Sequence, residues 1–295
     1  MKLGNSQFKF NFEKKVKQTI RKYNLCNRKD KVGVAVSGGK DSMVTLYLLK
    51  KFGYDIEAIT IDAKIGAYTD QNLKNLKKLC KELDVKLHVI SFRDEFGSSL
   101  CHIQSVLKSN GYNYSSCMIC GILKRYLLNK YSKKLKFDCL ATGHNLDDEA
   151  QAFMMNVFRS DVNQAKKQGP ISGIIKSDKF VKRIKPLYFS PELDVERFSK
   201  IMKFPVNYEI CPCSVGAYRR EYKNILDEFE KKHPSVKFNI VRFHEKLILP
   251  LRENAKQVKI DSCEICDEPS SRNVCKTCEL LICLKKSPKK NLNKC

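Results

Sequence analysis

Between residues 32 and 142, short apolar runs alternate with longer stretches whose apolar residues recur at helical spacing. The runs at 32–36, 56–61, 86–91 and 137–142 predict buried strands, and the stretches at 42–52, 70–84, 98–109 and 121–134 predict helices between them. This alternation predicts an α/β fold, a doubly wound parallel sheet with helices on both faces. Ligands of such sheets bind beyond the carboxyl ends of the strands, so chemistry is expected directly after each run. Ahead of the sheet, residues 8–25 place Phe12, Val16, Ile20 and Tyr23 at helical spacing among lysines, which predicts a basic amphipathic helix with one packing face. The lysine- and glycine-rich residues 160–185 predict a surface loop or short ribbon. Ser190-Pro191-Glu192 predicts a helix start, with a serine cap and proline in the first turn. Further helices are expected at 215–232 and 238–249, divided near Pro234, and after 256 the chain turns cysteine- and turn-rich. The expected organisation is a basic N-terminal helix (1–28), a core domain (29–190), a helical extension (191–255) and a small terminal module (256–295).

The first segment after a strand is Ser37-Gly38-Gly39-Lys40-Asp41-Ser42, which predicts a tight glycine turn feeding a helix. Free N–H groups at a helix start, two hydroxyls and the Lys40 ammonium together make an anion site. A Walker-type loop is excluded, because Asp41 rather than Ser or Thr follows Lys40 and Val34 stands five places before Gly39. A second such segment begins at Asp62, and a third is Thr142-Gly143-His144-Asn145-Leu146-Asp147-Asp148. In the third, His144 fits a phosphate contact and a structural imidazole equally well. Asn145 and Asp148 also have the spacing of a helix cap with an acidic third residue.

Composition adds a partner and two metal candidates. Lys and Arg number 56 against 32 Asp and Glu, a net +24 that suits RNA or DNA better than a membrane, although a lysine-rich proteome accounts for part of it. No apolar run approaches the roughly 18 residues of a membrane helix, and the first residues lack an apolar signal core, so a cytosolic protein is expected. Fourteen cysteines in a reducing compartment point to metal or redox chemistry rather than disulfides. Cys263, Cys266, Cys275 and Cys278 form two knuckles with the spacing of a four-thiolate zinc site, which is structural because no coordination position stays open. That segment is too short for a core of its own, so metal would supply its folding energy. The pair Cys117/Cys120 precedes a basic helix carrying Lys124 and Arg125. It fits a redox pair, part of a metal site completed from Cys211-Pro212-Cys213-Ser214, or two ordinary thiols. Cys26, Cys80, Cys101 and Cys139 lie in apolar segments and are expected to be small buried hydrophobes, while Cys283 and Cys295 have no assigned role.

Residues 37–42, the pair Cys117/Cys120 followed by Gly121 and Lys124-Arg125, the run 141–151 and Cys211-Pro212-Cys213-Ser214 stand in a telling order. Together they resemble the tRNA 2-thiouridine synthases, a branch of the PP-loop ATP pyrophosphatases that includes the cytosolic wobble-uridine thiolases. The likeness spans about residues 8–250, and the four-cysteine module extends it, since that branch carries a similar C-terminal zinc finger. The resemblance implies adenylation of the uridine C2 oxygen by ATP and replacement of that oxygen by sulfur. It assigns ATP to Ser37, Gly38, Gly39, Lys40, Asp41 and Ser42 with Asp62, Gly143 and His144, and Mg2+ on the phosphates to Asp41. Catalytic positions match Lys40, Lys124 and Asp148, with Asp147 as the runner-up. A [4Fe–4S] cluster is implied on Cys117, Cys120 and Cys211, Cys213 being the neighbouring alternative, and Zn2+ on Cys263, Cys266, Cys275 and Cys278. The competing sulfur route is a persulfide relay through Cys117 and Cys120. The implied partners are tRNA, a sulfur donor (free sulfide or a ubiquitin-like thiocarboxylate carrier) and a second copy in a homodimer. Two departures stand out. Members of the branch usually begin with another zinc finger, whereas only Cys26 precedes Cys80 here, and the acidic residue expected soon after Asp62 is absent.

Two other functions remain compatible with the sequence. A PP-loop ligase or amidotransferase acting on a small metabolite would explain the loop but not the cysteine sets or the charge. A non-catalytic RNA-binding zinc protein would explain the charge but not the intact loop.

Overall fold

The computed structural model describes residues 4–172, 179–214, 218–248, 250–253 and 260–285. One sheet holds β1 (Lys31–Ala35), β2 (Asp55–Asp62), β3 (Leu87–Ser91), β4 (Cys139–Thr142), β5 (Ile171–Ser172) and β6 (Lys182–Ile184). Their order is β3-β2-β1-β4-β6-β5, parallel throughout except for β5. Alternation along the strands sends side chains to two separate cores. Val32, Val34 and Val36 face α1 (Asn5–Lys22), α2 (Lys40–Lys51) and α3 (Gly66–Glu82), joined by α9 (Glu192–Ile201). Ile59, Ile61 and Leu140 face α5 (Leu100–Ser109) and α6 (Ser116–Lys134), with the short α4 (Phe92–Phe96) at the margin. Gly33 points to this second face, where a Cβ would lie 2.2 Å from the Phe137 ring.

A third cluster forms where α7 (Leu146–Phe158) meets the helical extension, through Leu146, Ala150, Tyr188, Leu226 and Val241. The surrounding elements are α8 (Val162–Lys166), α10 (Tyr218–Lys232), α11 (Val236–Phe243) and the one-turn α12 (Pro250–Glu253). A π-helical turn, His244–Ile248, follows α11. In the terminal module, β7 (Asp261–Ser262) and β8 (Pro269–Ser270) precede α13 (Lys276–Lys285), whose Leu280 enters the second core. None of the described helices is long and apolar enough to cross a membrane.

Four expectations need correction. Residues 160–185 contain more than a ribbon: β6 joins the main sheet beside β4, its three residues Lys182, Arg183 and Ile184 being too few and too charged to read as an apolar run. Pro191, not Ser190, caps α9. The helix expected from 121 starts at Ser116, which moves Cys117 and Cys120 into its first turns. Cys101 is exposed, because the buried stripe of α5 is Leu100, Ile103 and Leu107. Residues 215–217 of the expected helix, and Cys295, lie outside the described residues.

Candidate active site at the carboxyl edge of the sheet

The strand order reverses between β1 and β4, and two helices start at the crevice this opens. The turn after β1 needs its glycine: Gly38 has φ +84°, and a Cβ there would lie 2.7 Å from that of Asn72 on α3. Ser42 ties the loop to the helix, accepting from the Ser37 N–H at 3.1 Å and donating to the Gly39 carbonyl at 2.9 Å. Gly143, just past β4, is pressed on the first turn of α2, since a Cβ there would come within 2.7 Å of the Ser42 nitrogen. Asn145 joins the two helix starts. Its carbonyl oxygen accepts from the Asp148 N–H at 3.1 Å, and its Nδ2 donates to Asp41 Oδ1 at 2.9 Å. Asp148 completes the capping box by accepting from the Asn145 N–H at 3.1 Å.

Charges concentrate around Lys40. Its ammonium lies 3.2 Å from Asp41 and 2.8 Å from Glu192, and Glu192 also pairs with Lys223 of α10. Burial alone would lower the Lys40 pKa, but the two carboxylates outweigh it and the net shift is upward. For Asp41, burial and the charge of Asp148 outweigh Lys40 and raise the carboxyl pKa. Burial works against the Glu192 carboxylate too, yet Lys223 and Lys40 hold its pKa down to about 2. His144 sits on the crevice floor, reachable by solvent but enclosed by protein, and donates or accepts at Thr142 Oγ1 over 2.9 Å. Burial lowers its pKa, and Asp148 opposes that shift.

The two adjacent aspartates part company. Asp147 is buried, accepting from the Glu192 N–H at 2.7 Å and pairing with Lys237 of α11. Asp148 reaches Arg219 of α10, Oδ1 to Nη2 at 2.8 Å, and the same guanidinium donates to Gln151 at 3.0 Å. Asp62, buried at the end of β2, accepts from the Lys64 N–H at 2.8 Å and pairs with its ammonium at 2.9 Å. Glu192, Arg219, Lys223 and Lys237 were not among the expected site residues, and each enters from the extension through a tertiary contact.

The thiols form the second half of the crevice. Ser115 caps α6 by accepting from the Met118 N–H at 3.3 Å, which fixes Cys117 and Cys120 in the first turns. The Cys117 thiol donates to the Cys213 carbonyl at 3.4 Å; Cys213 lies within the tight turn Pro212–Ser214, and Cys211 directly precedes it. Burial raises the Cys117 pKa, Cys211 adds to the rise, and Lys124 opposes it. The same three influences act on Cys120, there with Lys124 ahead of Cys211. Cys213 is pushed up to about 11 by burial, then by Cys211 and by a contact with Cys101. Two contacts lead from the loop toward the thiols: Asn72 packs over Gly38, and Tyr68, one turn earlier on α3, neighbours Asn72 and Cys211.

Among the described residues, only Cys263, Cys266, Cys275 and Cys278 bring four ligand atoms within 4.8 Å of one another, the closeness a single tetrahedral ion needs. Backbone N–H groups point at these sulfurs, from Cys275 to Cys263 at 3.2 Å and from Cys278 to Cys275 at 3.4 Å. Burial opposes a Cys263 thiolate, but these and neighbouring N–H groups bring its pKa down to about 6. The donor set fits zinc. Cys117, Cys120 and Cys211 instead approach from two elements as a looser set beside Lys124, which fits a polynuclear iron–sulfur cluster with each thiolate on a different iron.

Residues 8–206 match the PP-loop domain family. The chain is 37% identical to the tRNA-5-methyluridine(54) 2-sulfurtransferase of Pyrococcus horikoshii, over 95% of this chain and 87% of that protein. It is 32% identical to the tRNA 2-thiolation protein NcsA of Haloferax volcanii, over 95% and 92% respectively. Among solved structures, the U34-tRNA thiolase NcsA from Methanococcus maripaludis with its [4Fe–4S] cluster superposes with a TM-score of 0.80 at 33% identity, covering 97% of this chain and 91% of that one.

Glu192 gives the site a signature in stability. Its pKa falls on folding from the ordinary 4.5 to about 2, so its contribution is present above pH 4.5 and lost as pH drops through 2. Glu192→Gln should cost on the order of 1–3 kcal/mol in urea unfolding at pH 7, with the gap narrowing as pH falls from about 4.5 toward about 2. An equal loss at every pH would show that its ion pairs are not the source.

Proposed function

The chain belongs to the PP-loop family of tRNA 2-thiolation enzymes, and from that premise we propose how its residues divide the work. It is an ATP-dependent tRNA uridine 2-sulfurtransferase. The observation that carries the residue assignment is the shared crevice: an anion-binding helix start and a three-thiol set, joined through Asn72 and Tyr68 of α3.

The C2 oxygen of uridine is a poor leaving group, so it must first be activated. It attacks the α-phosphorus of ATP, the bond to the β-phosphate oxygen breaks, and pyrophosphate leaves. The N–H groups of Gly38 to Asp41 and the Ser37 and Ser42 hydroxyls receive the departing anion at the amino end of α2. Lys40 exchanges Glu192 for the phosphates, leaving Glu192 on Lys223. Asp41, with Asp148 close by, would hold the Mg2+ that ATP carries. Gly143 and His144 form the floor on which the nucleotide lies, and the His144 imidazole can donate to a phosphate or base. Asp62 closes the edge of β2.

Sulfur then attacks C2, and AMP departs with the original oxygen. Cys117, Cys120 and Cys211 would hold a [4Fe–4S] cluster, which when bound supplies one iron with an open position for sulfide. Lys124, beside Cys120, attracts the sulfur anion and offers its proton to the C2 substituent. Asp148, aligned by Arg219, is the carboxylate that faces the crevice, whereas Asp147 is committed to Glu192 and Lys237. The terminal cysteines would hold Zn2+ and brace α6, with Asn129 donating to Glu268 at 2.8 Å. Free sulfide or a thiocarboxylate carrier supplies the sulfur, and the enzyme works as a homodimer. The terminal module packs Leu280 of α13 into the second core.

Lys40→Ala should slow ATP- and tRNA-dependent pyrophosphate release by about 100-fold or more while leaving the helical circular-dichroism signal intact. Full activity in that folded variant would remove the loop from the reaction. After anaerobic reconstitution, Cys211→Ala should lose the iron–sulfur absorbance and the thiolation activity, and Cys213→Ala should keep most of both. The reverse pattern would make Cys213 the ligand. Retention in both would favour the persulfide relay.

A further inference from the structure

Two cations beside the thiols have no role in the reaction above. Arg183 lies on β6 in register with Leu140 of β4, and alternation turns it to the face that α6 covers, opposite Ile184 in the first core. Arg125 on α6 sits one and two turns from Asn129 and Ser132 along the same helix face, and these residues meet Arg183 around a small pocket. The Arg125 guanidinium folds back over Gly121, where a Cβ would lie 3.1 Å from Nη1, and so carries its charge toward Cys120. Burial lowers the pKa of both arginines, and Arg125 lowers that of Arg183 further; among the described residues no carboxylate offsets either. Two partly desolvated like charges held side by side cost free energy that an anion between them would recover.

The space decides where that anion sits. The pocket behind the pair has room of about 10 Å3, one water molecule, against the buried Ser132 hydroxyl, which lacks a protein partner. A phosphate cannot enter there, but Arg125 is also exposed to solvent outside it. The planar forks of two arginines match the oxygens of a phosphate group.

We propose that Arg125 and Arg183 form a phosphate clamp on the crevice wall next to the thiols, taking a backbone phosphate of the bound tRNA near the target uridine. The tRNA source rests on the function proposed above; the clamp itself does not. The test compares the full chain with Arg125→Gln and with Arg125→Gln/Arg183→Gln, measuring tRNA binding by fluorescence anisotropy over a salt series and ATP binding by calorimetry. The double variant should weaken tRNA binding and reduce the slope of log K against log salt by about 0.7–0.9, one phosphate contact, with ATP affinity unchanged. Arg183→Lys should restore the slope but only part of the affinity. A loss of ATP affinity with an unchanged tRNA slope would keep the clamp and assign it to the nucleotide. Unchanged tRNA and ATP binding would overturn it, and the exposed Arg125→Gln variant decides the matter alone if the double variant does not fold. If the unaltered chain bound no tRNA, the functional reading would fail while the ATP titration still judged the clamp.

Discussion

Two helix starts, those of α2 and α7, face one crevice, and the structure depends on how their like-signed dipole ends are kept together. Each amino end carries partial positive charge from unpaired N–H groups. Asp41 and Asp148 answer it from within the first turns, Asn145 bonds to both, and the Lys40 ammonium is matched by Glu192 from α9. In the proposed reaction the carboxylates occupy the electrostatic role that the phosphates of ATP would take. An anion entering this crevice exchanges with Glu192 instead of filling an empty cationic hole, which limits the cost of holding the site open.

The same constraint reaches outward into the extension. Arg219 and Lys223 are one turn apart on α10, and they reach Asp148 and Glu192 respectively. Lys237 of α11 ties Asp147 to Asp227, so the extension is held to the core domain by ion pairs converging on the first turns of α7 and α9. On the other side of the sheet, α6 carries the thiols and is buttressed by the terminal module through Asn129 and Glu268 and through Leu280 in the second core. A metal in the four-cysteine site would thus act on the reaction through the stiffness of α6, with no direct contact with substrate.

Much of this was legible because it is local. The glycine turn, the helix that follows it and the capping box of Asn145 and Asp148 each lie within a few residues, and their chemistry fixes their shape. The convergence of the two cysteine knuckles was legible for the same reason. The partners of the site carboxylates were not, since nothing in one sequence joins residue 219 to 148 or 223 to 192. The proposal of Asp148 over Asp147 rests on those partners. Strand β6 escaped because a three-residue strand with a lysine and an arginine has no apolar run to detect. The exposure of Cys101 could have been foreseen: with Leu100, Ile103 and Leu107 defining the buried stripe, position 101 falls off it.

One coupled reaction carries the proposed function, and mass spectrometry of tRNA nucleosides tests it most directly. The anaerobically reconstituted protein, given unmodified tRNA, ATP and sulfide, should convert uridine to a 2-thiouridine derivative with one AMP and one pyrophosphate formed per sulfur, and nuclease mapping would locate the residue. Thiolation that proceeded equally without ATP, or AMP formation with no thio-nucleoside in a protein retaining its iron, would contradict it.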